Sequence, residues 1–281
     1  MVEQPKKFLE VVHRTDDGDV IGLATCAGFE LGQWRHKKLV NHLLNWLPHF
    51  ALKPGEAEAI GLHNSFDILR ESAARIFRPK AGKGRGEIGE LLLHIVCVTE
   101  YRAAAFVSRL FYKMRSNDQI TGFDSALVTL DNEGEVELWL GEAKFYKDTK
   151  QAIAAAIASI AGHLEEGFLE ETKILIAPKI EPGAPAYEKL QWLFDDGSKL
   201  DEIVKRIVVP VLVASESDAA MNYAECHSDY PKLILHEFEY LQGRFSESEI
   251  SKQVRIVVIY VPLASKELLE QHFIEKLGLV L

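Results

Sequence analysis

The chain has 281 residues, 47% hydrophobic and 26% charged, an ordinary globular composition with room for one large domain or a domain and a cap. A net charge of −10 excludes a protein that coats nucleic acid by bulk electrostatics, though not a local basic channel. Cys26, Cys97 and Cys226 are scattered and odd in number, which excludes a disulfide scaffold, and no apolar run approaches the ~20 residues of a membrane span. With no signal-peptide core at the N-terminus, the expected location is the cytoplasm.

In chain order, short strands are expected at Phe8–His13 and Val20–Cys26 around the turn Asp16-Asp17-Gly18-Asp19. Helical spacing follows over Leu31–Phe50, with Trp34, Leu39, Leu43 and Leu47 on one stripe. Glu56–Phe77 reads as helix, interrupted near Gly61–Asn64. The loop Arg78–Gly86, rich in Gly, Lys and Arg, is the expected boundary between an N-terminal, mainly helical region (1–80) and the core (81–281). The core then reads as a helix at Glu87–Val98, a strand at Phe106–Lys113 and a hairpin. A helix at Lys150–Phe168 and a strand at Ile174–Pro178 come next, then alternating helix and strand to a last helix at Lys266–Leu277. The fold class implied is α/β, a mixed central sheet with flanking helices.

The hairpin carries the chemistry. Phe123–Leu130 and Val136–Phe145 flank the turn Asp131-Asn132-Glu133-Gly134. By the two-residue period of a strand, Val136, Leu138 and Leu140 share a face that Glu142 and Lys144 continue. On the first strand Leu130, Val128 and Ala126 share a face that Asp124 continues. A three-residue loop ending in glycine sets Asp124 opposite Glu142. Charges at the end of an apolar face are costly unless paired or bound to metal. Two carboxylates suit a hard divalent ion such as Mg2+, with Mn2+ as a possible replacement, and an adjacent ammonium can orient water or steady a phosphorane. The carbonyl of Ala143 is a further candidate ligand. The same three side chains, Asp124, Glu142 and Lys144, would also make a structural ion-pair cluster at a sheet edge. The Glu-x-Lys spacing alone is weak, since Glu171-Thr172-Lys173 repeats it.

Other candidates surround this group. Glu87 and Glu90 lie at i, i+3 on the preceding helix, and Glu90 is the better placed third carboxylate. Tyr146, Lys147 and Gln151 follow the second strand and are candidates to touch a nucleic acid backbone. Arg70, Arg75, Arg78, Lys80, Lys83 and Arg85 stand against one acid, Glu71, and form the candidate phosphate-contact strip. Gly82–Gly86 is not a Walker A loop, because Phe77 stands where its first glycine belongs and no Ser or Thr follows Lys83.

The stretches RGEIGELLLHIV, TGFDSALV and ELWLGEAKFYKD resemble the PD-(D/E)xK nuclease superfamily and, more closely, HamA, the nuclease-subunit family of Hachiman anti-phage defence. The resemblance implies a restriction-endonuclease-like core and an active-site triad at Asp124, Glu142 and Lys144, with Glu90 as the helix acid. Phe123 stands where that pattern often has proline. It further implies Mg2+-dependent cleavage of DNA, controlled by a separate helicase-type ATPase. A non-catalytic module of the same fold, one that scaffolds a helicase or binds DNA, stays open beside it, as does a stand-alone restriction or repair nuclease.

Overall fold

The structure, a computed structural model, describes residues 4–281 except 19, 53–55, 57–59, 62, 78–85, 107–121, 132, 181, 185, 196, 224 and 226–228, and except the side chains of 166, 168, 171, 175 and 179. The strands are β1 (Glu10–Thr15), β2 (Val20–Cys26), β3 (Phe29–Glu30), β4 (Gln33–Trp34), β5 (Ala104–Ala105), β6 (Ser125–Leu130), β7 (Val136–Phe145), β8 (Ile207–Glu216) and β9 (Arg255–Leu263). The helices are α1 (His36–Ala51), α2 (Ser65–Ile76), α3 (Gly86–Tyr101), α4 (Thr149–His163), α5 (Glu166–Ile176), α6 (Tyr187–Leu193), α7 (Leu200–Val204), α8 (Asp218–Asn222), α9 (Tyr230–Ser246) and α10 (Lys266–Val280).

Seven strands form one mixed sheet in the order β1-β2-β9-β8-β7-β6-β5. Its centre, β2, β9, β8 and β7, is parallel, while β1, β6 and β5 pair antiparallel at the two edges. The central strands are apolar on both faces because helices cover both. Over one face, Leu138, Val211, Val213 and Val258 meet Ala152, Ile153, Ala156 and Ile160 of α4 and Ile234, Phe238 and Leu241 of α9. Over the other, Trp139, Leu212, Val257 and Ile259 meet Leu43 and Leu47 of α1, Ile88, Leu91 and Leu92 of α3 and Phe273 of α10. This is the expected mixed sheet with flanking helices, consistent with a restriction-endonuclease-like core. No helix among the described residues is long and apolar enough to cross a membrane.

The structure differs from the sequence expectation in several places. Ile174–Pro178 is not a strand: α5 runs to Ile176 and continues as a 3-10 turn over Ala177–Lys179. Leu169 and Ile176, seven residues apart, are buried, while Ile174 between them is 71% exposed, which is a helical period. The helix expected at Lys150–Phe168 ends at His163, where Leu164 and Glu165 separate α4 from α5. The helix expected from Leu31 starts at His36, because Leu31 and Gly32 (φ 50° and 72°) turn the chain between β3 and β4. The strand expected at Phe106–Lys113 falls, beyond Phe106, outside the described residues. So does the 80/81 boundary, but β1 and β2 belong to the same sheet as the strands after it.

Candidate active site

The turn of the β6–β7 hairpin sets the register of everything that follows. Asp131 Oδ1 accepts from the amides of Glu133 (2.9 Å) and Glu135 (2.8 Å), and Gly134 takes φ 79°. The left-handed conformation suits glycine, which has no Cβ to clash. From there Leu130 pairs with Val136 and Ser125 with Gly141. That register is the one expected for a three-residue loop closed by glycine, and Asp124 is the residue next beyond its last pair. Asp124 is clasped to the facing strand at two points. Its amide donates to the Gly141 carbonyl (2.8 Å), and its Oδ2 accepts from the Ala143 amide (3.0 Å).

Three of the expected residues therefore converge. Glu142, 3% exposed, accepts from Lys144 Nζ at Oε1. Asp124 is close enough for its charge to act on Glu142. Asp124 and Lys144 are half-buried, so the group opens to solvent on their side. Burial, first, and the Asp124 charge, second, push the Glu142 carboxyl above its ordinary range, while Lys144 and the Ser159 hydroxyl pull it down. Two carboxylates and one ammonium meet here, and an added cation would relieve the repulsion between the carboxylates.

A residue that the sequence reading passed over completes the surroundings. His163, in the last turn of α4 and 4% exposed, points Nδ1 at Glu142 Oε2 from 3.7 Å. Its ring packs on Phe123 with centroids 4.5 Å apart. The signal was the buried stripe Ala152, Ala156, Ile160, whose period continues to His163.

The other candidates are placed differently. Glu87 and Glu90 are buried on α3, but that helix sits on the far side of the sheet. Gly89 of α3 faces Phe145 and Ala143, whose side chains alternate with those of Glu142 and Lys144. Among the described residues no group of three His, Cys, Asp or Glu side chains is gathered to hold a metal. The carboxylates seen to act on one another are Asp124 and Glu142. Gln151 is exposed in the first turn of α4, its amide capped by Asp148 Oδ1 (2.7 Å). Lys147 is exposed, 3.9 Å from Glu216, and Tyr146 packs against the core. Arg78, Lys80, Lys83 and Arg85 lie outside the described residues. Arg75 of that strip is committed to the fold, paired with Glu56 (2.7 Å) and Glu71 (2.6 Å), so the strip faces more acid than Glu71 alone.

A cavity of about 850 Å³ lies at the other end of β7. Its wall charges pair with one another, Arg206 with Glu135 and Arg255 with Glu137, and it takes no part in the Asp124–Glu142 group.

The donor set fits Mg2+, which is commonly held by one or two carboxylates and keeps several of its waters. Against known families, the chain is similar to HamA, whose family model matches residues 5–277. No curated protein matches it.

Proposed function

The chain belongs to the HamA family of Hachiman anti-phage defence, and from that premise we propose that it is a metal-dependent DNA nuclease, the effector of a defence complex whose activity a helicase-type ATPase partner controls. The observation that carries the reading is the hairpin register, which puts Asp124, Glu142 and Lys144 on one face at one point.

In this reading Asp124 and Glu142 would hold Mg2+, or Mn2+ in its place, which would supply charge neutralisation at the phosphate and lower the pKa of water there. Asp124, fixed by the Ala143 and Gly141 backbone, presents its free oxygen without having to reorganise. Lys144, next to Glu142, places a positive charge beside the scissile phosphate, where it orients the attacking water and stabilises the pentavalent arrangement. The site lies on the solvent-open side of the hairpin, so a phosphodiester strand can reach it. Lys147, just before α4, and Gln151, in its first turn, are exposed and would meet the adjoining backbone.

Supercoiled plasmid tests this directly. The wild type should nick or linearise it with Mg2+ and leave it intact with EDTA, and Lys144→Ala should lower the rate by about a hundredfold or more. Equal nicking by both proteins would remove Lys144 from the reaction. No cleavage by the wild type, alone or with the helicase subunit, would favour a non-catalytic, DNA-binding or scaffolding module instead.

A further inference from the structure

We propose that His163 and Ser159 are positioning residues that hold the Glu142 carboxylate in the orientation a divalent ion requires. The inference rests on the metal-site reading above and extends it to α4, a helix that supplies none of the ion's carboxylates.

Glu142 has a carboxylate with several acceptor sites and a side chain with three rotatable bonds, and it stands almost wholly out of solvent. Left alone, such a group would turn to whichever partner it could find. Its Oε1 is taken by Lys144 from the same strand. Oε2 faces the opposite way, toward α4, where His163 Nδ1 stands 3.7 Å off. Ser159, one helical turn earlier and on the same side of α4, turns toward the same carboxylate, where its hydroxyl favours the charged form. The group is thus flanked by two elements, bonded to Lys144 of β7 and faced by His163 of α4, with Asp124, just before β6, as its third neighbour.

Two observations separate this from an ordinary core histidine. A histidine in a last helical turn commonly serves the helix itself, by facing its terminal carbonyls. His163 instead aims its nitrogen across the layer at a carboxylate of the sheet. Its ring is also held in place, with Phe123, the residue before Asp124, packed on it at 4.5 Å. The chain segment that supplies Asp124 therefore fixes the ring that faces Glu142. The two metal-facing carboxylates are mechanically tied through Phe123 and His163. Groups that orient a ligating carboxylate in this way typically contribute tenfold to a hundredfold in metal affinity.

The test uses the full chain and Mn2+ alone, titrated by calorimetry, with the melting temperature of each metal-free variant as a folding control. His163→Phe keeps the ring packed on Phe123 and removes the donor. His163→Asn keeps a donor near the position of Nδ1. The inference expects His163→Phe to bind Mn2+ about tenfold or more weakly, His163→Asn to recover most of the loss, and Ser159→Ala to show a smaller deficit. Should the Phe variant fail to fold, His163→Asn against Ser159→Ala carries the comparison. Folded His163→Phe that binds Mn2+ as the wild type does, or folded His163→Asn that binds as poorly as His163→Phe, would overturn the positioning role and leave the metal site standing. Wild type that takes up no Mn2+, with Glu142→Gln unchanged beside it, would remove the metal site and this inference together.

Discussion

His42 of α1 is buried between the rings of Phe8 (centroids 5.4 Å) and Trp46 (6.2 Å), and its Nε2 has no hydrogen-bond partner among the described residues. An imidazole there resists protonation, because the charged form would lose its water and gain nothing. Burial lowers its pKa from 6.5 to about 4. His94 behaves the same way, lowered by burial and by its neighbour His49, with which it shares a 2.9 Å hydrogen bond. The sign of the consequence is fixed. Between about 4 and 6.5 the unfolded chain binds a proton at His42 that the folded chain refuses, so stability rises with pH through that window and is lost as pH falls through it. The protein should melt at a lower temperature near about pH 5 than near about pH 7.5. His42→Phe should raise the melting temperature more at the acidic pH than at the neutral one, since it removes one of the protons taken up on unfolding. Thermal melts of both proteins at the two pH values check this, and an unchanged pH slope would mean that His42 is not among the groups responsible. Glu142 is the opposite kind of buried group. Burial and the Asp124 charge raise its carboxyl, and Lys144 and Ser159 counter that.

The hairpin that presents this charge depends on how closely β7 can approach its neighbours. Gly141, directly before Glu142, has no room for a side chain. A Cβ there would stand 2.4 Å from Ser125 Oγ, 2.8 Å from Leu93 Cδ2 and 3.2 Å from Pro210 Cγ. The β7–β8 ladder pairs Trp139 with Val208 and next Glu142 with Val211, and between them proline, which has no N–H, sits opposite this glycine. Gly141→Ala should therefore destabilise by about 1–3 kcal/mol through overpacking. Adding Ser125→Ala, which removes the nearest contact, should recover part of that loss, as urea unfolding of the single and double variants would show. Equal stability of Gly141→Ala and wild type would mean that β7 can shift outward, and the Asp124–Glu142 register with it. The hairpin was legible in the sequence because its signals are local. The turn Asp131–Gly134 fixes the register, and two-residue alternation then puts Asp124, Glu142 and Lys144 on one face. The run KILIAP was not, since an isolated apolar stretch has no period of its own and α5 absorbed it. Nor could the layer of Glu90 be read: helical spacing says which residues share a helix face, but not which side of a sheet the helix will cover. His163 was hidden for a related reason, because its partner lies 21 positions earlier on another element.

At the scale of the whole molecule, the least legible feature was the place of the N-terminal segment, because β2 finds its parallel neighbour β9 more than 200 residues later. The segment contributes β1 and β2 to the seven-stranded sheet, and α1 and α2 to the layer over one of its faces. β2 covers the edge of β9, with Leu23 and Ala24 fully buried, and α1 lays Leu39, Leu43 and Leu47 against the core that α3 and α10 also line. Gly22 lets β2 lie against Val258, where a Cβ would collide with the backbone of that strand. The expected division into residues 1–80 and 81–281 can be tested by cutting there. A fragment of residues 81–281 would expose β9 as a long apolar edge and strip α1 and α2 from a buried face. Open apolar edges pair with other chains. The fragment should therefore be insoluble or aggregated when expressed alone, and co-expression with residues 1–80 should return a soluble complex that melts cooperatively. A fragment that is monomeric alone, with a sharp thermal transition, would instead make the first eighty residues a separable cap, and the sheet would then need only the strands from β5 to β9 to hold Asp124 and Glu142 in register. That outcome would also move the search for a partner's docking surface. A separable cap can be displaced by another protein without unfolding the site, whereas an edge strand built into the sheet cannot.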